Sequence, residues 1–178
     1  MKINLTKLAR YQPLSKSKKG QELLFITANE FDTTPEYIMR LFVRYLGALI
    51  VHRIQQSVKT QTINGRPMKL LYKPLSEKYN NSKPAKFKDK FWINSDFLIK
   101  NLQMWQLKSG DLYIGYRHNR IHPKSKTTVR DIMMFVERGT KNMPPRPLFT
   151  IIVRGIAKNI TSHLERFIMG IQQGKVRV

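Results

Sequence analysis

Residues 131–171 read DIMMFVERGTKNMPPRPLFTIIVRGIAKNITSHLERFIMGI, and this stretch decides the fold. Val129 to Arg138 reads as a short helix with Ile132, Met133, Phe135 and Val136 at its apolar positions. Thr127 or Thr128 can cap its start, and Gly139 suits the position just past its end. Met143-Pro144-Pro145-Arg146-Pro147 follows. Residues before proline are pushed toward extended conformations, so this loop is stiff and pre-shaped. Pro147 fits the first turn of the next helix. Phe149, Ile152, Val153, Ile156, Ile160, Leu164, Phe167 and Ile171 then recur at helical spacing, with Arg154, Lys158, Thr161, Glu165 and Arg166 opposite. That pattern predicts one long amphipathic helix ended by Gly174, with His163 on the edge of its stripe.

Upstream, Thr33-Thr34-Pro35-Glu36 marks a second helix start, with Thr33 as N-cap and Glu36 completing a capping box. Ile38, Leu41, Phe42, Tyr45 and Leu49 form one face of this helix, and Val43, Ile50 and Ile54 lie on another. Arg40, Arg44 and Gln55 make the clearest polar side. A helix so apolar wants burial on more than one side. It runs to about Thr60, with Asn64-Gly65 as the break. Residues 66–92 read as a loop, because Pro67, Pro74 and Pro84 forbid a long regular element. Leu102 to Leu107 and Leu112 to Gly115 read as a β-hairpin about Ser109-Gly110-Asp111, with Leu102, Met104 and Trp105 competing for its inner face. The fold class is therefore α+β: a small antiparallel sheet packed against a long N-terminal and a long C-terminal amphipathic helix. Residues 1–32 read as an arm or extension, either packed on the domain or clasping a neighbouring subunit. Residues 33–178 read as one domain with a basic loop at 117–128.

The charge balance is the outlying fact. The 178 residues carry 33 Lys+Arg against 11 Asp+Glu, a formal net charge of +22. This bias asks for a polyanion or an acidic protein as partner. With no cysteine, disulfides, thiolate metal sites and Cys nucleophiles are excluded. The opening MKINLTKLAR has no apolar core of a signal peptide, and no run approaches the length of a membrane span. Lys83, Lys86, Lys88 and Lys90 alternate with Phe87, Phe91 and Trp92. Such a pattern serves either a single-strand stacking platform or inward aromatics with solvated lysines. Arg117, Arg120, Lys124 and Lys126 belong to an acid-free loop. His118 and His122 are four apart, but Pro123 and the missing carboxylates argue against a metal site. No paired carboxylates, HExxH, GxSxG or phosphate loop is present, and nothing in the spacing of Asp96, Asp111, Asp131 and Glu137 asks for a metal nuclease. The expectation is a chain with no enzymatic activity and no cofactor.

Val136-Glu137-Arg138-Gly139, the loop MPPRP and the helix after it resemble the C-terminal wording of the neck and tail-completion (virion morphogenesis) proteins of tailed bacteriophages. Lys73-Pro74-Leu75-Ser76-Glu77-Lys78-Tyr79 and Asp111-Leu112-Tyr113-Ile114-Gly115 are similar to further words of that family, in the same order. The likeness covers about residues 35–172. Leu148-Phe149 inverts the usual order of that pair, and the N-terminal residues and the loop at 117–128 have no counterpart.

The resemblance implies a structural virion protein without enzyme activity. It would form a homo-oligomeric ring at the head–tail junction around the passing viral dsDNA. It would contact connector, tail-terminator or tail-tube proteins, with no membrane, in the virion and, during assembly, in the host bacterial cytoplasm. On that basis Lys83, Lys86, Lys88, Lys90, Arg117, Arg120, Lys124 and Lys126 are expected on exposed loops facing DNA or acidic neighbours. Glu137, Arg138, Pro145, Arg146, Pro147, Phe42, Tyr45 and Leu49 are the expected subunit contacts. The competing expectation is a sequence-nonspecific nucleic-acid-binding protein.

Overall fold

The computed structural model describes residues 2–4, 18–91, 97–107, 111–116, 121–122 and 126–175. Their elements are β1 (Lys2–Asn4), α1 (Lys18–Glu30), α2 (Pro35–Thr60), β2 (Thr62–Ile63), β3 (Arg66–Pro67), α3 (Met68–Leu71), α4 (Glu77–Asn81), a 3-10 turn (Ala85–Phe87), α5 (Phe97–Lys100), β4 (Gln103–Gln106), β5 (Leu112–Gly115), α6 (Val129–Arg138), α7 (Phe149–Lys158) and α8 (Ile160–Gln172). The chain is α+β, as its periodicities predict. It divides into two compact units whose sequences interleave. The first holds residues 1–2, 51–103 and 115–152, and the second holds 3–50, 104–114 and 153–178.

In the second unit, α2 is capped by Thr34, whose Oγ1 accepts the Tyr37 amide at 3.2 Å. This is one residue later than Thr33. The shift has a local cause: Pro35 supplies the fixed φ of the first helical position and forces Thr34, just before it, into the extended backbone that a cap needs. The buried stripe of α2 in this unit is Ile38, Phe42, Val43, Leu46 and Ile50, while Leu41, Tyr45 and Leu49 are only half-buried. Phe167 of α8 packs at a tilt against both Phe42 and Tyr45, at 5.5 and 5.4 Å between ring centroids. Helix α1 buries Leu24 and Ala28 and leaves Phe25 and Ile26 exposed. It is tied to α8 by Lys19–Glu165 at 2.6 Å and by Gln172 donating to Glu30 at 3.0 Å. The described parts of residues 1–32 thus include a helix of the fold and a strand of its sheet.

The three-stranded sheet has the order β1-β5-β4. The link between β4 and β5 is too short for a parallel crossover, and the Leu107 amide donates to the Asp111 carbonyl at 2.9 Å, so these strands form the expected hairpin. Central β5 is mostly buried and outer β4 mostly exposed. Trp105 stacks on Tyr113, with centroids 6.1 Å apart, whereas Met104 is 39% exposed. Of the three competitors Leu102 is the buried one, while Trp105 stays half-buried beside the half-buried Tyr113, on the side opposite Leu112 and Ile114.

The expected single C-terminal helix is two. Asn159, at φ −115, interrupts it between α7 and α8. Its side-chain amide donates to the Gly155 carbonyl at 3.0 Å, and its backbone amide bonds Ile156 instead at 3.1 Å. The side chain takes the acceptor that the helix would have used, the competition that makes Asn a poor interior residue. The stripe survives the break: Ile156, Ile160, Leu164, Phe167 and Ile171 are buried, and His163 is buried with them.

In the first unit, α2 ends in a two-residue hairpin. Asn64 and Gly65 have φ of +50 and +80, and Ile63 pairs Arg66, the geometry of a type I′ turn. Thr128 caps α6: its Oγ1 accepts the Asp131 amide at 3.1 Å and donates to the Asp131 carboxylate at 2.7 Å. Helix α6 buries Val129, Met133 and Glu137, while Phe135 is exposed. The core of this unit also takes in Ile63, Met68, Tyr72, Phe87, Phe91, Leu148 and Phe149.

Candidate polyanion and partner interface

All the described basic candidates lie in the first unit, and all but Lys126 lie on two segments, 72–91 and 137–147. The second segment is a lock. Glu137 is buried at the end of α6. Its Oε2 accepts the amides of Leu148 at 2.9 Å and Phe149 at 3.2 Å, and its Oε1 accepts that of Thr150 at 2.8 Å. One carboxylate thereby fills the open amides at the start of α7 and faces the positive end of that helix. Gly139 turns the chain out of α6 with φ +78, its amide bonded to Phe135 O at 2.8 Å. A Cβ there would stand 2.7 Å from Met143 O and 2.8 Å from Pro145 N. Thr140 and Met143 then bridge, and the Arg146 amide returns to Val136 O at 2.9 Å. Tyr72 donates its hydroxyl to Pro147 O at 2.9 Å.

Three of the expected subunit contacts are buried in the single chain. Glu137 and Arg146 face inward in their own chain, as does Phe42 in the second unit. Tyr45, Leu49 and Pro147 are half-buried, and Arg138 and Pro145 remain at the surface. Those last two line an open groove of about 440 Å³ with Lys73, Lys141, Asn142 and the backbone of Gly139. The groove contains three cations and no carboxylate. Lys73 and Lys141 are additions to the expected set. In the sequence Lys141 ends the GTK word at 139–141, which is not a phosphate loop but does present an exposed cation.

The 72–91 segment is pinned from several sides. Ser76 caps α4 by accepting the Tyr79 amide. Asn80 and Asp89 exchange two bonds, Nδ2 to Oδ1 at 2.6 Å and the Asp89 amide to Asn80 Oδ1 at 2.8 Å. Gln61 holds the Phe91 backbone with both ends of its amide, at 2.6 and 3.1 Å. Phe87 and Phe91 are buried, so they offer no stacking platform for bases. Lys86, Lys88 and Lys90 are exposed, as is Lys126.

Lys83 departs from the expectation of an exposed loop. It is 4% exposed, donates to the Lys90 carbonyl and stands 5.5 Å from the Tyr79 ring centroid. Pro84 and the 3-10 turn after it fold the chain back so that the Lys90 carbonyl becomes its acceptor. Burial, and next the nearby Arg146 charge, pull Lys83 down to about 8, while Asp89 acts in the opposite sense. Arg146 is 6% exposed, with its guanidinium 5.6 Å from the Phe91 ring centroid. Burial lowers its pKa too, against the raising influence of Tyr79 and Tyr72.

Arg117, Arg120 and Lys124 lie outside the described residues. Among the described residues no group of three or more His, Asp or Glu side chains converges as a metal site would require. No helix among them is long and apolar enough to cross a membrane. No family model, no curated protein and no solved structure matches this chain.

Proposed function

We propose that this chain is a structural virion protein of a tailed bacteriophage that assembles as a ring at the head–tail junction around the DNA passage. The observation that carries the reading is the lock at 137–147. The residues that resemble the family's wording, Glu137, Gly139 and the proline loop, are occupied in holding one rigid turn. The cations on that turn, Arg138 and Lys141, stay at the surface beside Lys73 without an ion pair among the described residues. A rigid basic edge suits contact with a second macromolecule, because little ordering entropy remains to be lost on binding. The net charge of +22 adds a long-range attraction for phosphate that needs no base readout.

Ring contacts would be heterologous, with one patch meeting a different patch on the next copy. Light scattering and negative-stain microscopy of the purified chain, alone and with virion intermediates, test this. Closed rings, or incorporation at the junction, are expected. A chain that stays monomeric at high concentration and associates with no virion component overturns the reading. If that monomer binds duplex DNA with a steep salt dependence, the nucleic-acid-binding alternative takes its place.

A further inference from the structure

Lys83 and Arg146 are two cations, each more than nine-tenths buried in the same unit, and the one carboxylate that acts on Lys83, that of Asp89, is not in ion-pair contact with it. Neither makes an ion pair among the described residues. Lys83 has one acceptor, the Lys90 carbonyl, and Arg146 Nε has none. The neighbouring polar groups each have another partner. Asp89 Oδ1 is held by Asn80 at 2.6 Å, and the Tyr72 hydroxyl is given to Pro147 O. Each of the pair has an aromatic side-chain contact: the Tyr79 ring beside Lys83 and the Phe91 ring beside Arg146. Ring faces attract cations, but only weakly compared with the loss of water around two like charges. The arrangement is electrostatically incomplete as it stands.

We propose that Lys83 and Arg146 form the floor of a binding site for a small oxyanion, a carboxylate or a phosphate group, with the exposed Tyr79 at its rim. An oxyanion supplies what the pair lacks: negative charge between two cations and acceptors for guanidinium N–H groups. The burial selects for size. With so little of either cation at the surface, the group that reaches them must be narrow. The end of an acidic side chain or a free phosphate ion meets that requirement, whereas the broad face of a duplex does not. The site does not depend on ring assembly.

The test uses the whole purified chain and inorganic phosphate, glutarate and chloride at matched ionic strength. Arg146 Nε–H is sheltered, so its nitrogen–proton cross-peak reports the site directly. Saturable movement of that peak with phosphate alone assigns a phosphate ligand, and with glutarate alone a carboxylate. Movement with both assigns the shared oxyanion chemistry, and each of these results supports the site. Chloride should leave the peak in place. Lys83→Met removes one buried charge while keeping a similar shape. It should be at least as stable as the parent in chloride and bind the active oxyanion about tenfold more weakly. A peak that moves with neither oxyanion, or an unchanged affinity in Lys83→Met, overturns the proposal.

Discussion

Glu137 Oε1 accepts the amide of Thr150 at 2.8 Å, so the last turn of one helix supplies the cap of the next. Its other oxygen takes Leu148 and Phe149. Replacing Glu137 with Ala leaves buried amides without an acceptor and should cost about 3 kcal/mol, measured by urea denaturation. Glu137→Gln keeps one carbonyl oxygen but turns an NH₂ toward an N–H, so it should fall between the parent and the alanine variant. Loss of less than about 0.5 kcal/mol for Glu137→Ala would mean that the cap carries no weight, since that is the scatter of ordinary surface changes.

Gly139 and Gly65 both have positive φ, and the surroundings separate them. At Gly139 a Cβ collides with Met143 O and Pro145 N, whereas at Gly65 it meets nothing within 4 Å. Gly65→Ala should therefore cost about 1 kcal/mol, from backbone strain alone. Gly139→Ala should cost clearly more, about 3 kcal/mol, because the proline loop must also move. Parallel denaturation curves for the two variants check the order.

Lys83 gives the chain a pH signature. It ionises at about 8 when folded, against 10.5 in the unfolded chain. Between those values the unfolded chain binds a proton that the folded one does not, so stability rises with pH from about 8. Tyr79 and Tyr116, raised by burial from 10.0, act in the other direction once the unfolded phenols begin to ionise near that pH. The usable window is therefore about pH 8 to 10. Denaturation midpoints across it should climb for the parent and flatten for Lys83→Met. A parent curve that falls across this window would contradict the burial of a titrating Lys83.

Lys86, Lys88 and Lys90 are exposed near the Lys83 turn, and the proposed function has them meet phosphate. If they do, changing all three to Gln should lower the slope of log affinity for duplex DNA against log salt by about 0.9 for each phosphate that is no longer neutralised. The effect should be the same for unrelated DNA sequences, because backbone contacts carry no base information. An unchanged slope would place the DNA-facing surface elsewhere.

How far the sequence was legible follows from the range of the forces involved. The break at Asn64-Gly65, a cap at Thr127 or Thr128, the exit at Gly139 and the stripe from Phe149 to Ile171 all depend on neighbours a few residues away, and each could be read from local spacing, although the hairpin made by that break could not. The Asn159 break is also local. It was hidden because a single Asn in a strong apolar stripe is outweighed in the pattern until its side chain is seen taking the Gly155 carbonyl.

The sequence by itself determined the α+β class, the order of the main elements and the excess of positive charge, because periodicity, turn chemistry and composition need no tertiary contact. Only the tertiary structure decided what Glu137, Arg146 and Lys83 do. Glu137 reads as one more charge on a helix until α7 is docked against it. Arg146 reads as a subunit contact and Lys83 as an exposed loop cation until Phe91, Tyr79 and the Lys90 carbonyl are folded around them. The direction in which a charged side chain points is set by partners far along the chain, and the same residue is a surface cation or a buried one depending on which partners the fold delivers.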